Sequence, residues 1–181
     1  MIGRAYADTE AYQVAVGTGS NEHEGIFTGG DTDALTFDSA GNITPDEIYE
    51  LMYTLGGGYR ANAFWLMDDQ TWRYIISMRD ANNWAFGNAD MATIGGVGSQ
   101  PDGTLLGKPV FLQDDISVIT TGETVIMIGD PYYYALVERK GLEIKRLNEL
   151  YAETGQIGFR CMFRQGGKVL VEEAFCGGKM A

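Results

Sequence analysis

The chain has 181 residues, 45% of them hydrophobic and 21% charged, which suits one or two domains with a sizeable core and does not suit a disordered chain. Its formal net charge of −12 and its lack of any run of Lys or Arg argue against binding to phosphate backbones and against docking on an anionic membrane. No apolar run approaches the ~20 residues of a bilayer span, and Met1-Ile2-Gly3-Arg4 leads into a polar stretch unlike a secretory leader, so a reducing cytoplasm is expected.

In chain order, residues 2–16 read as a helix with Tyr6, Thr9, Tyr12/Gln13 and Val16 on one face and Gly17 as its stop. Residues 17–43 hold six glycines and read as an extended loop with a short strand near Leu35-Thr36-Phe37. Thr44-Pro45-Asp46-Glu47 has the strongest start signal of the chain: an N-cap hydroxyl, proline at the first helical position, and Glu three residues after the cap. A helix over 45–56 follows, with Ile48, Leu51, Met52 and Leu55 as its stripe and Gly56-Gly57-Gly58 as its end. Ala63–Met67 is a continuous apolar run of strand length and reads as a buried strand. Asp68 or Asp69 caps a helix over 69–78 that buries Trp72, Ile75 and Ile76.

Residues 80–103 read as a long loop, a length that in compact domains signals function or disorder. Leu105–Leu112 reads as one strand, with Pro109 at an edge position or a strand start. Thr124–Ile128 is a further buried strand. Tyr132–Val137 and Leu142–Leu147 read as a pair around Arg139-Lys140-Gly141. Ile157–Phe163 and Lys168–Ala174 read as a hairpin around Gln165-Gly166-Gly167. Helices and strands do not alternate regularly, so the fold class is α+β. Cys161 and Cys176, the only cysteines, fall on what read as neighbouring strands; two free thiols are preferred over a disulfide.

No group of residues adds up to an active site, so no catalytic, cofactor-binding or metal-binding residue is assigned. His23 is the only histidine and reads as a solvated loop side chain; Ser20 and Asp31 nearby lack the packing that orients a triad. Gly17-Thr18-Gly19 begins like a dinucleotide fingerprint but has Glu22 at the third glycine position. Gly103-Thr104-Leu105-Leu106-Gly107-Lys108 is one residue short of a P-loop, with Pro109 where a magnesium-binding hydroxyl belongs. Asp31, Asp33 and Asp38 cluster without the spacing of a calcium loop. Tyr132-Tyr133-Tyr134 with Trp65, Trp72 and Trp84 could form a stacking platform, but core and interface filling is the preferred reading.

Several landmarks recur in a fixed order: Gly17-Thr18-Gly19, Gly25-Ile26, Phe64-Trp65-Leu66-Met67, Asp69-Gln70-Thr71-Trp72, Arg79-Asp80, Leu105-Leu106-Gly107-Lys108-Pro109-Val110, Ile128-Gly129-Asp130 and Glu173-Ala174-Phe175. Their order and spacing resemble the C-terminal part of the major capsid proteins of tailed bacteriophages, which share the Hong Kong phage-type capsid fold. The resemblance implies a structural protein that self-assembles into pentamers and hexamers of an icosahedral shell. Its partners would be copies of itself, with a scaffold or maturation protease in addition, and its place the virion after assembly in the bacterial host cytoplasm. It also implies a division of the chain. Residues 1–40 would be the end of the spine helix and a connecting loop of the peripheral domain, 41–150 the axial domain, and 151–181 strands returning to the peripheral domain. Loop 87–103 would point at the ring centre. The N-terminal arm, extended loop and full spine helix of the family are not in this sequence, so a truncated form or prophage remnant is expected, and no crosslinking residue carries over. The alternatives are an encapsulin-like shell protein, a carbohydrate- or small-ligand-binding module, and an enzyme of unrecognised chemistry.

Overall fold

The computed structural model describes residues 2–37, 42–80, 83–84, 92–94, 101–147 and 157–181. The elements are α1 (Ile2–Val16), α2 (Ile26–Gly29), β1 (Asp31–Phe37), α3 (Pro45–Thr54), β2 (Phe64–Met67), α4 (Asp69–Ser77), β3 (Arg79–Asp80), β4 (Asn83–Trp84), β5 (Ala92–Ile94), β6 (Gly103–Leu105), β7 (Lys108–Leu112), β8 (Thr124–Gly129), β9 (Tyr134–Leu147), β10 (Gly158–Val169) and β11 (Phe175–Met180). Seven strands form one mixed sheet in the order β1-β11-β8-β2-β7-β6-β5. Only β1 with β11 and β2 with β7 run parallel. The class is α+β.

The start of α3 forms as its sequence dictates. Thr44 Oγ1 accepts from the Glu47 backbone N–H, and the Glu47 carboxylate accepts from the Thr44 N–H at 2.6 Å, a reciprocal capping box. Asp68 caps α4 by accepting from the Gln70 N–H at 2.8 Å. Both helices end earlier than expected, at Thr54 and Ser77. They lie on one face of the sheet, where Ile48, Leu51, Leu55, Trp72 and Ile75 pack with Trp65, Met67, Val110, Ile126 and Ile128. The Trp65 indole N–H donates to Leu105 O at 3.0 Å, so this buried ring leaves no polar group unpaired.

The opposite face holds a second cluster of Ala15, Ile26, Leu66, Ile116, Met127 and Phe175. Alternation along β2 sends Trp65 and Met67 to one cluster and Leu66 to the other, which explains the unbroken apolar run. The α1 face differs from expectation. Ala15 is its buried residue and Tyr12 is exposed, because α1 turns its C-terminal end onto the sheet.

Four expectations need correction. Residues 17–43 form the strand expected near Leu35-Thr36-Phe37 but hold more regular structure than that. They contain α2 and the seven-residue β1, whose partner β11 is remote in sequence and invisible to local patterns. Leu105–Leu112 is a hairpin and not one strand. Leu106 (φ 51) and Gly107 (φ 74) take the two left-handed positions of a tight turn, where Leu disguised the usual Asn. Pro109 consequently lies near the start of a strand flanked by β6 and β2, and not at an edge.

The third correction concerns the two hairpins expected over 132–147 and 157–174. Neither forms. β9 and β10 are each continuous and pair with one another as a separate antiparallel ribbon. Gly166 and Gly167 oppose Val137 and Leu136 inside that ribbon, and the Gly167 backbone sits against the Tyr134 hydroxyl where a Cβ would clash. Glycine there serves close approach and not a turn.

Fourth, β11 was unexpected because Gly177-Gly178 weakens any strand signal. Those positions face Thr32 and Phe37 so closely that a side chain has no room. Within the stretch read as a loop, β5 pairs with β6 at the sheet edge and β3 pairs with β4. The rest of the expected ring-centre loop 87–103, residues 87–91 and 95–100, lies outside the described residues.

Candidate functional site

The sequence candidates do not converge. Ser20 is exposed and Asp31 begins β1. Asp33 pairs with Lys179 at 2.9 Å, its own N–H donates to Asp31 Oδ1 at 3.3 Å, and Asp38 lies outside the described residues. No group of three metal-ligating side chains gathers among the described residues. The P-loop-like stretch is the β6–β7 hairpin, with Lys108 Nζ donating to Ala61 O at 2.9 Å. The aromatic platform does not form either. Trp65 and Trp72 are buried in the core, the Trp84 side chain lies outside the described residues, and Tyr133 packs edge-on against Tyr59 with centroids 4.9 Å apart.

His23 corrects its expectation. It is fully buried, and neither ring nitrogen has a hydrogen-bond partner among the described residues. The cause is the closed loop that carries it: the Gly19 N–H donates to His23 O at 2.9 Å and the Gly25 N–H to Gly17 O at 2.8 Å. Burial holds the imidazole pKa below its usual value, partly offset by the carboxylates of Glu10 and Glu22. Cys161 and Cys176 are both free and lie on different sheets, the first exposed and the second buried. Burial, then the nearby Asp31, pushes the Cys176 thiol up to about 11.

The Gly129-Asp130 landmark is structural. Gly129 lies under Phe175 and the Ala174 carbonyl with no room for a Cβ, and Asp130 accepts from the Tyr132 N–H at 3.0 Å. An apolar groove of about 540 Å³ runs between α1 and the sheet, lined by Ala7, Ala11, Val14, Phe64 and Phe111 among others. Glu10, Gln113 and Tyr134 are the polar side chains of its described lining, and the Tyr134 hydroxyl is engaged with Glu24 O.

The most distinctive surface is the β9–β10 ribbon. Its base is tied to the body. The Tyr134 hydroxyl donates to Glu24 O at 3.0 Å, the Glu24 N–H to Gly167 O at 2.9 Å, and Tyr6 stacks edge-on against Phe163 with centroids 4.6 Å apart. Further out, Leu136, Val137, Ile144 and Phe159 are each at least half exposed. The ribbon also gathers seven of the thirteen basic side chains, Arg139, Lys140, Lys145, Arg146, Arg160, Arg164 and Lys168, against two acidic ones, Glu138 and Glu143. That makes it +5 on a chain of −12, so the remainder carries −17. A tally of charge by segment would have found this; the search for a contiguous run of Lys and Arg missed it.

The fold is thus a seven-stranded mixed sheet with two helices on one face, a long helix at the other and a separate two-stranded ribbon. The Phage capsid family matches residues 1–180, and the chain belongs to that family. No curated protein matches it. Among solved structures, it is similar to the capsid of an empty GTA particle computed with C5 symmetry, at 26% identity and TM-score 0.81, covering 99% of this chain and 64% of that one. The capsid of the native GTA particle gives 25% identity and TM-score 0.82, covering 99% and 63%. The chain therefore spans somewhat less than two thirds of those proteins. Gordonia phage Cozz (15% identity, TM-score 0.68, 99% of this chain and 61% of that one) shares the fold. So does the encapsulin of Synechococcus elongatus PCC 7942 (16%, TM-score 0.62, 98% and 62%).

Proposed function

We propose that this chain is the C-terminal portion of a major capsid protein that assembles with copies of itself into the rings of a phage-type shell. The observation that carries this reading is the family match over residues 1–180, supported by the likeness to two capsids computed with C5 symmetry. The protein's role is structural and not enzymatic, its place is the virion shell after assembly in the host cytoplasm, and a scaffold or maturation protease is a transient partner.

In this reading the axial unit is the seven-stranded sheet with α3 and α4, which takes β1 and β11 in from outside residues 41–150 and leaves β9 to the peripheral unit. The peripheral unit comprises α1 with the ribbon, joined through Tyr6, Phe163 and Gln165. Each protomer in a ring would offer one patch to a different patch on the next, a heterologous contact that closes. The test is electron microscopy of the full-length gene product purified from a bacterial host. Closed particles built from rings are expected; a monodisperse monomer that forms no rings under any ionic condition would refute the reading.

A further inference from the structure

We propose that the β9–β10 ribbon is a charge-steered docking arm that fits the acidic surface of a second copy of this chain; the proposal rests on the capsid reading above. Four observations carry it.

The first is charge segregation, +5 on the ribbon against −17 on the remainder. Even with Glu149 and Glu153 of the connecting residues counted, 134–169 stays at +3. A second copy therefore supplies the complementary charge, and complementary fields accelerate and orient encounter.

The second is the pairing inside the ribbon. Arg160 stands directly opposite Lys145, and Arg164 opposite Lys140. Like charges directly opposite across a ladder are destabilising. Glu143 relieves both lysines by pairing with Lys140 and with Lys145. Arg160 and Arg164 have no ion pair among the described residues. Carboxylates arriving from outside would supply the partners that Arg160 and Arg164 lack.

The third is reach. Fourteen and twelve residues of extended strand make an arm of ~40 Å, and a two-stranded ribbon is marginal without a partner surface. The fourth is the apolar content. Ile144 shares a face with Cys161, and Phe159 with Arg146, so aliphatic and aromatic surface alternates with cations. Duplex DNA would use the cations and waste the apolar surface, and a body of −17 would repel it. A protein surface uses both.

The test is sedimentation velocity of the 181-residue chain at about 50 mM and about 500 mM NaCl, a range over which screening of surface charges changes markedly. Wild type should associate at low salt and dissociate at high salt. Arg160→Glu with Arg164→Glu should stay monomeric at both salts, with an unchanged or raised thermal midpoint that shows it is folded. Arg160→Lys with Arg164→Lys should associate like wild type. A wild-type monomer at both salts, or a charge-reversed variant that associates like wild type, overturns the proposal. So does salt-sensitive binding of a labelled DNA duplex, lost in the charge-reversed variant, without self-association. In the full-length protein, normal shells from the charge-reversed variant would sink the docking arm alone, whereas absence of shells with the ribbon intact would sink the capsid reading.

Discussion

His23 shows how far a side chain's environment departs from its local sequence. Surrounded by polar loop residues, it is nevertheless sealed inside with both nitrogens unpaired among the described residues, an arrangement that penalises the charged form. Its folded pKa lies below the ordinary 6.5. The unfolded chain therefore binds the extra proton first as pH falls. The His23 contribution to stability is complete above 6.5 and is lost as pH drops from there toward the lowered folded value. Thermal midpoints measured from pH 7 to about pH 5 should decline, and His23→Gln, which cannot titrate, should flatten that decline. Glu22 and Glu143, both held below the usual 4.5 by their partners, titrate under this window and do not mimic the effect. The cysteines give a second check. A thiol reagent at neutral pH should label exposed Cys161 rapidly and Cys176 only on unfolding, since the latter is buried with a thiol raised to about 11. Equal labelling of both in the folded protein would contradict the position of β11 in the sheet.

Among the elements, α3 is the one whose ends and stripe the sequence states most openly. Its capping box satisfies two donors that the first turn leaves orphaned. Thr44→Ala should cost about 1 kcal/mol in urea unfolding, with an unchanged slope. The capped starts of α3 and α4 and the strands β2 and β8 were legible because each rests on neighbours within one or two turns. The ribbon was not. Gly166 and Gly167 mark turns by local rules, yet each continues a strand because Val137 and Leu136 opposite hold the backbone extended, and Gly141 falls at an irregularity of the pairing between Lys140 and Glu143. The β6–β7 turn hid for the opposite reason: Leu106 adopts a left-handed conformation that Asn would have announced.

For the molecule as a whole, the sheet joins the two ends of the described chain, since β1 near the N-terminus runs parallel to β11 at the C-terminus. β11 also pairs with β8, so it is the link between β1 and the rest of the sheet. Deleting residues 175–181 should abolish cooperative unfolding and near-ultraviolet circular dichroism, because Phe175, Cys176 and Met180 contribute to both buried clusters. A truncated chain that still melts in one sharp transition would show that β11 is dispensable.

The sequence by itself determined the α+β class, the two capped helices, the buried strands read at 63–67 and 124–128, and the order of landmarks that resembles phage capsid proteins. Those depend on short-range hydrogen bonding and on apolar periodicity, which are written in adjacent residues. Only the tertiary structure decided that β1 pairs with β11, that 134–147 and 158–169 pair as one ribbon, and that His23 is sealed. Each of these depends on segments far apart in the chain meeting in space. The free energy of such a meeting comes from desolvation, pairing and charge between partners that no local window contains together.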